Sequence, residues 1–272
     1  QTFVIKFGGH AMGDDDLAQS FAEDIVMLRQ VGIHPVVVHG GGPQIGEMLA
    51  RLNIESAFVD GLRVTDRTTV DIVEMVLSGS INKQIVDSIQ SAGGTAIGLS
   101  GKDGRLIEVR QMRRTTRDPD SNIEKILDLG FVGEPVTINT KAIDVLRQSD
   151  IIPIIAPIGV GPRGQTYNIN ADTAAGAIAG ALGASKLLML TDIAGVLDEN
   201  NEVMPTLSKK QATQLMKDGV ITGGMIPKVE TCLEAVRGGT SAVHILDGRI
   251  KHVLLLEVFT EHGVGTMIRA DD

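Results

Sequence analysis

Lys6 closes the apolar run Phe3-Val4-Ile5 and is followed at once by Phe7-Gly8-Gly9. About thirty residues on, Val36-Val37-Val38-His39 runs into Gly40-Gly41-Gly42-Pro43. Strands this apolar are normally buried on both faces, where an unpaired ammonium is costly, so Lys6 needs a negative partner or a place at the strand's wet carboxyl end. Two glycine-rich strand-to-helix turns beside a cation offer bare backbone N–H groups and the positive ends of two helices. Together they form a cradle for an anion, and the anion expected is a phosphate.

Further residues bear on the same cradle. Lys228 follows Pro227 in Gly223-Gly224-Met225-Ile226-Pro227-Lys228, and proline prefers the first position of a helix. A cation in a first turn opposes the helix dipole by roughly 0.3–1 kcal/mol, so this lysine makes most sense if an anion shares the helix end. The plain alternative is an exposed helical lysine. Asp172, in Asn168-Ile169-Asn170-Ala171-Asp172, falls in another first turn, where a carboxylate is favoured on dipole grounds alone. It gains a role if two lysines converge on one phosphate, because a carboxylate between them holds them in register. Arg63, in Gly61-Leu62-Arg63-Val64-Thr65, suits a two-pronged grip on a carboxylate, although a surface ion pair explains it better from the residues alone. Asp192 ends the buried run Leu188-Met189-Leu190-Thr191, where it would meet a ribose or a phosphate-bound water. The six histidines show no metal-ligand spacing, so no protein-held metal is expected.

These residues must be carried by an alternation of short β-branched runs and longer helical patterns. The spacing predicts strands over 3–7, 35–39, 95–99, 151–156, 186–191 and 242–246. It predicts helices near 15–31, 43–53, 66–92, 140–149, 171–182, 208–218 and 227–238. Such alternation builds a mainly parallel, doubly wound α/β sheet with helices on both faces, and ligands then lie at the carboxyl ends of the strands. The stretch 105–136 breaks the rhythm and reads as an inserted hairpin, a candidate lid, around a polar loop. The basic run from Arg110 to Arg117 reads as a solvated loop. The cluster Pro157, Gly159, Gly161, Pro162 and Gly164 marks a soft boundary.

With 272 residues, 43% hydrophobic, the chain is long enough for one large or two modest cores. Its net charge of −9 argues against wholesale nucleic-acid binding. The single cysteine, Cys232, excludes a disulfide framework and points to a reducing cytoplasm. No run reaches the ~20 apolar residues of a membrane span. Because the chain opens on Gln1 two residues before a core strand, a preceding natural segment is expected. Gly159-Val160-Gly161-Pro162-Arg163-Gly164 matches the dinucleotide pattern G-x-G-x-x-G, but the residues after it read as loop and hairpin rather than helix. There is no P-loop motif, and His39-Gly40-Gly41-Gly42 lacks the G-x-S-x-G elbow that a hydrolase would need.

Taken together, these motifs resemble the amino acid kinase family over nearly the whole chain, and within it the branch that acts on N-acetyl-L-glutamate. Besides the turns already quoted, the resemblance is carried by Asn82-Lys83, Gly98-Leu99-Ser100-Gly101-Lys102-Asp103, Tyr167 to Asp172 and Thr191-Asp192-Ile193-Ala194-Gly195-Val196. The resemblance implies a three-layer αβα sandwich about an open, mainly parallel sheet. Residues 1–165 would form a lobe for acetylglutamate binding and dimerisation, and 166–272 a lobe for ATP. It implies transfer of the γ-phosphoryl of MgATP to the side-chain carboxylate of N-acetyl-L-glutamate in arginine biosynthesis. Lys6 and Lys228 would stabilise the phosphoryl group and Asp172 would organise them. Gly8, Gly9 and Gly41 would hold it through backbone amides. Gly41, Gly42, Arg63 and Asn168 would bind the acetylglutamate, while Thr191, Asp192, Gly195 and the stretch from Lys209 to Lys228 would carry ATP, with magnesium held mainly by nucleotide phosphates.

The stretch from Leu256 to Met267 is similar to that of arginine-inhibited members. That likeness implies an effector site for L-arginine at His244, Glu257, Gly263 and Gly265; a terminal strand and turn closing the sheet is the alternative. It also implies a homodimer that an additional amino-terminal helix would extend to a hexamer. Two other readings stay open: a binding module on the same fold, which need not keep both lysines, and a kinase of another acidic amino acid such as aspartate or glutamate.

Overall fold

β1 (Thr2–Phe7) and β2 (His34–His39) lie side by side in parallel, joined through α1 (Asp15–Gln30), and α2 (Gly42–Arg51) leaves β2 through the second glycine turn. The computed structural model describes residues 1–59, 61–117, 124–261 and 263–270, with the backbone alone at 10, 114–117 and 124–127. A two-strand hairpin follows, β3 (Phe58–Val59) and β4 (Leu62–Arg63). Next come α3 (Arg67–Glu74), α4 (Asn82–Ser91) and β5 (Ala96–Ser100). The long hairpin of β6 (Ile107–Arg117) and β7 (Glu124–Ile138) precedes α5 (Lys141–Gln148), β8 (Ile152–Ala156), β9 (Ile158–Val160) and β10 (Thr166–Asn168). The remaining elements are α6 (Ala171–Ala181), β11 (Lys186–Thr191), β12 (Thr206–Ser208), α7 (Lys209–Lys217), α8 (Met225–Arg237), β13 (Ala242–Asp247), α9 (Val253–Phe259) and β14 (Thr266–Arg269).

Eight strands form one sheet in the order β12-β14-β13-β11-β1-β2-β8-β5, parallel throughout except where β14 runs against β13. Side chains alternate across a strand, and here the alternation splits the core in two. Phe3, Ile5 and Phe7 of β1 join Val37 and Ile154 on one face, covered by Ile25 and Leu28 of α1, Ile89 of α4 and Leu254 of α9. Val4, Val36, Val38 and Ile155 point the other way, under Ala174, Ala175 and Ile178 of α6 and Val229, Cys232 and Leu233 of α8. The expected α/β sandwich of three layers is therefore the observed one. On the second face α6 and α8 approach closely because their contact is built from small residues. A Cβ on Gly176 would come 3.2 Å from Thr231 Cγ2, and one on Gly180 would come 3.2 Å from the Gly238 carbonyl. That closeness sets the beginnings of the two helices side by side.

Several expectations need correction. The predicted helix over 66–92 is interrupted: Met75–Ile81 is a π-helical segment between α3 and α4, a deviation frequent at functional sites. The basic run 110–117 is strand rather than loop, because β6 pairs with β7 and sets Arg110 opposite Glu134, with Nε 2.9 Å from Oε2. Around Gly159–Gly164, β9 and β10 form a tight antiparallel hairpin and close a small barrel with β6 and β7, so the residues that follow the glycine pattern are loop and hairpin, as expected, and not helix. The tip of the candidate lid, 118–123, lies outside the described residues. α8 opens at Met225, two residues before Pro227, so Lys228 closes its first turn rather than opening it. Among the described residues no helix is long and apolar enough to cross a membrane.

Candidate active site

Two clefts open at the carboxyl ends of the central strands and share Lys6 and Gly9. The first encloses about 220 Å3 and is lined by both glycine turns, Phe58 and Arg63 of the β3–β4 hairpin, and the run from Asn168 to Asp172. The second encloses about 810 Å3 and is lined by Thr191 to Asp198, Val220 to Thr222, Gly224, Met225, Lys228 and Arg249. A small ligand and a large one can thus meet at a shared cation.

At the junction stands a charge triad. Lys6, 8% exposed, extends to the wet end of β1, where Nζ lies 3.0 Å from Asp172 Oδ1 and 3.4 Å from the Leu190 carbonyl. Lys228 Nζ lies 3.1 Å from Asp172 Oδ2. Each carboxylate oxygen therefore holds one ammonium. Burial pushes the Asp172 carboxyl up, but the two lysines outweigh it and hold the pKa below the usual carboxylate range. Asp172 is fixed in turn by the start of α6, where Asn170 Oδ1 caps the helix by accepting from the backbone N–H of Asp172 and Thr173. The triad carries net positive charge at the meeting point of two clefts, which suits a group whose negative charge is passing from one to the other.

The glycines are required by proximity. A Cβ on Gly8 would come 2.8 Å from Lys6 Nζ, and one on Gly9, at φ +73°, would run into the Asp192 carboxylate. Gly40 packs beside Gly8, where a Cβ would make an ordinary contact of 3.7 Å with Gly8 Cα, so the two turns form one wall. Gly41 is pressed from behind by Leu77 and Ile81 of the π-helical segment, which leaves no room for a side chain. The helical irregularity thus backs the second glycine turn.

Arg63 is 7% exposed and held on three sides. Its Nη1 donates to Ser56 Oγ, its Nη2 donates to the Gly42 carbonyl at 2.9 Å, and its guanidinium carbon lies 4.5 Å from the centre of the Phe58 ring. This is a pre-set cation in a cleft, not the surface pair that the residues alone favoured.

His39 ends β2 beneath the second turn and is fully buried, which drives its pKa down to about 4. Unfolded histidine takes a proton near pH 6.5, so the unfolded chain binds protons that the folded one refuses. The stability tied to a neutral His39 is fully present above pH 6.5 and is lost as pH falls toward 4, by up to about 3 kcal/mol. His39→Asn should flatten the fall in melting temperature between pH 7 and pH 4.5; an unchanged fall would assign that loss to other groups.

Of the residues expected to touch acetylglutamate or phosphate, all but Lys228 line the first cleft; Lys228 lines the second, with Thr191, Asp192 and Gly195. Of the stretch 209–228, only Val220 onward contributes to the lining, and α7 does not. His244, Glu257 and Gly263 come together elsewhere. Glu257 Oε1 lies 2.5 Å from His244 Nδ1, and its Oε2 accepts from the Val264 N–H at 2.7 Å. A Cβ on Gly263 would lie 2.7 Å from Glu257 Oε2, while Gly265 packs on the Ile245 carbonyl. The alternative for this stretch is half right: β14 does join the sheet, though between β13 and the edge strand β12, while 253–259 is a helix. Phe58 and Arg249 escaped the sequence reading. Arg249, paired with Asp247 through Nε and Nη2 at 2.8 Å each, lies just past the end of β13, so the rule that ligands sit at strand carboxyl ends would have found it. Phe58 sits on a two-residue strand with no periodicity to flag it.

The family model for the amino acid kinase family matches residues 1–247. The acetylglutamate kinase of Rhodospirillum centenum is 64% identical over 98% of this chain and 88% of its own length. That of Erythrobacter litoralis is 59% identical over all of this chain and 91% of its own. Among solved structures, N-acetylglutamate synthase from Neisseria gonorrhoeae, complexed with coenzyme A and N-acetyl-glutamate, superposes with a TM-score of 0.83 at 24% identity, covering 100% of this chain and 60% of that one. Carbamate kinase from Giardia lamblia bound to AMP-PNP gives a TM-score of 0.69 at 17% identity, covering 100% and 99%. Both share the fold with this chain. From the family match across both clefts, and from relatives well above half identity over nearly its whole length, the chain belongs to the amino acid kinase family.

Proposed function

We propose that this protein transfers the γ-phosphoryl group of ATP to the side-chain carboxylate of N-acetyl-L-glutamate, giving an acyl phosphate and ADP, a step of arginine biosynthesis. The observation that carries the reading is the Lys6–Asp172–Lys228 triad at the junction of a small and a large cleft. N-acetyl-L-glutamate would lie in the first cleft with its α-carboxylate on Arg63, whose fixed fork suits two oxygens, and with Gly41, Gly42 and Asn168 about it. The nucleotide would fill the second, where Thr191, Asp192 and Gly195 line the wall and Lys228 and Arg249 add positive charge. Gly8, Gly9 and Gly41 would present amides to the phosphoryl group. A carboxylate with a pKa near ~4.3 is already ionised at neutral pH, so the acceptor needs no general base and catalysis rests on placement and charge. Magnesium would enter with the nucleotide, held by its phosphates, and Asp192 would meet water on it. In this reading residues 1–165 serve the acetylglutamate and 166–272 the nucleotide, with Asn168 and Asp172 reaching back across that division.

An assay of ADP release with N-acetyl-L-glutamate, L-glutamate and L-aspartate tests the choice of acceptor. N-acetyl-L-glutamate should give the highest kcat/KM by far. Equal or better use of either free amino acid would favour the kinase of another acidic amino acid.

The cluster of His244, Glu257 and the turn at Gly263–Gly265 is where we place an inhibitory site for L-arginine, supported by a buried carboxylate beside a glycine turn. Both Glu257 oxygens are engaged, so a cationic effector would compete with His244 and the Val264 amide. Glu257→Ala should abolish inhibition by millimolar arginine while leaving kcat intact; inhibition that persists in the variant places the effector elsewhere. The assembly we propose is a homodimer, which equilibrium sedimentation would test.

A further inference from the structure

His39 lies beneath the cradle without touching either cleft, and its ring is built into the second glycine turn. Its Nδ1 is 2.8 Å from the carbonyl oxygen of Gly40, and its Nε2 is 3.3 Å from Asn82 Nδ2. A carbonyl oxygen can only accept, so Nδ1 carries the ring proton. Asn82 leads to the same tautomer independently. Its Oδ1 accepts from Lys83 Nζ at 2.9 Å, and its Nδ2 also donates to the carbonyls of Ile154 at 2.9 Å and Leu99 at 3.3 Å. The amide nitrogen is thereby turned toward His39, and since an amide nitrogen cannot accept a hydrogen bond, Nε2 carries no proton. Asn82 is itself fully buried, and Gly98 leaves the space it fills, since any side chain at Gly98 would run into the Asn82 amide.

The consequence lies in the peptide that joins Gly40 to Gly41. In a planar trans peptide the C=O and N–H point in opposite directions. Gly40 N–H is tied to the Phe7 carbonyl at 2.8 Å, and its C=O is held inward by His39. The N–H of Gly41 must then face away from His39, toward the cleft that Gly41 lines. Two glycines in a row would otherwise let this peptide turn over at little cost, aiming a carbonyl oxygen at the phosphoryl group instead of an N–H.

We propose that His39, oriented by Asn82, is a positioning residue that locks the Gly40–Gly41 peptide with its N–H toward the phosphoryl group in transfer. The proposal rests on the phosphoryl-transfer reading above. The ring's low proton affinity, near pH 4, keeps it neutral under working conditions, with Nε2 free to accept from Asn82. Lys83, the charged group facing this pair, disfavours a second proton on the ring.

The test uses three substitutions that differ in where they place an N–H. His39→Leu fills the space without a donor. His39→Asn can put an amide N–H where Nδ1 stood, and His39→Gln carries its amide one carbon too far. His39→Leu and His39→Gln should lower kcat roughly 100-fold with both KM values within about threefold, and His39→Asn should recover to within about tenfold of the unsubstituted enzyme. Near-normal kcat in folded His39→Leu, or no advantage of Asn over Gln, overturns the proposal. If the variants fail to fold, the tautomer in the unsubstituted protein decides, read by nitrogen-15 NMR of the assigned His39 ring: a proton on Nδ1 supports the lock, and one on Nε2 overturns it. The unsubstituted enzyme assayed alongside separates the two readings. No turnover of N-acetyl-L-glutamate there would defeat the proposed function, whereas turnover untouched by His39→Leu would defeat only the lock.

Discussion

Lys6→Ala and Lys228→Ala are each expected to lower kcat about 100- to 1,000-fold while changing the KM of either substrate little. Both ammonium groups already hold Asp172 in the resting site, so neither is spent on binding a ground-state ligand alone. Their value rises as charge spreads over the transferring group between the clefts, and removing one preorganised contact of this kind costs ~2.7–4 kcal/mol in the transition state. Each variant also leaves the Asp172 carboxylate buried beside a single cation. The partners act as a unit, so the double variant should fall well short of the product of the two losses. Initial rates over a grid of both substrates check this. Near-normal kcat in either variant, or a loss confined to KM, would remove that lysine from the transition state.

Arg63→Lys is expected to raise the KM for N-acetyl-L-glutamate by about 100-fold and to leave that for ATP unchanged. A lysine keeps the charge but loses the planar fork, and with it the hold on Ser56, the Gly42 carbonyl and the Phe58 ring that fixes the cation in the small cleft. Arg63 lines the first cleft and not the second, which is why the effect should fall on one substrate. Titration of each ligand by calorimetry separates the two. An unchanged acetylglutamate affinity would take Arg63 out of the site, and an equal loss for ATP would mean that the ligands are assigned to the wrong clefts.

Much of this arrangement is legible in the chain because its signals are local. Apolar strand-like runs that stop at glycine or aspartate mark strand ends, and in a parallel sheet strand ends are where ligands lie, so Lys6, Gly8, Gly9, Gly41 and Asp192 could be placed at one edge, while Asp172 was legible from the first turn of its helix. What escaped depends on contacts distant in sequence. The π-helical turn at Met75–Ile81 is pressed against Gly41, more than thirty residues earlier, and nothing in its own periodicity separates it from the α-helices on either side. The apolar run Val253-Leu254-Leu255-Leu256 fits a strand as well as a helix; packing on α1 decides for the helix. Arg63 looked like a surface residue until the β3–β4 hairpin folded it inward. His39 was visible only as part of a glycine motif, and its role emerges from Asn82, 43 residues away.

The central claim is that the side-chain carboxylate of N-acetyl-L-glutamate attacks the γ-phosphorus of ATP. It is tested most directly by labelling both oxygens of that carboxylate with oxygen-18, incubating with MgATP and the enzyme, and trapping the product with hydroxylamine. Hydroxylamine attacks the acyl carbon and expels phosphate together with the bridging oxygen. The account predicts one labelled oxygen in each phosphate released, seen as an isotope shift in the phosphorus-31 spectrum, with hydroxamate formed one for one with ADP. Phosphate without label, or ADP without hydroxamate, would mean that water or another acceptor takes the phosphoryl group, and would contradict the account.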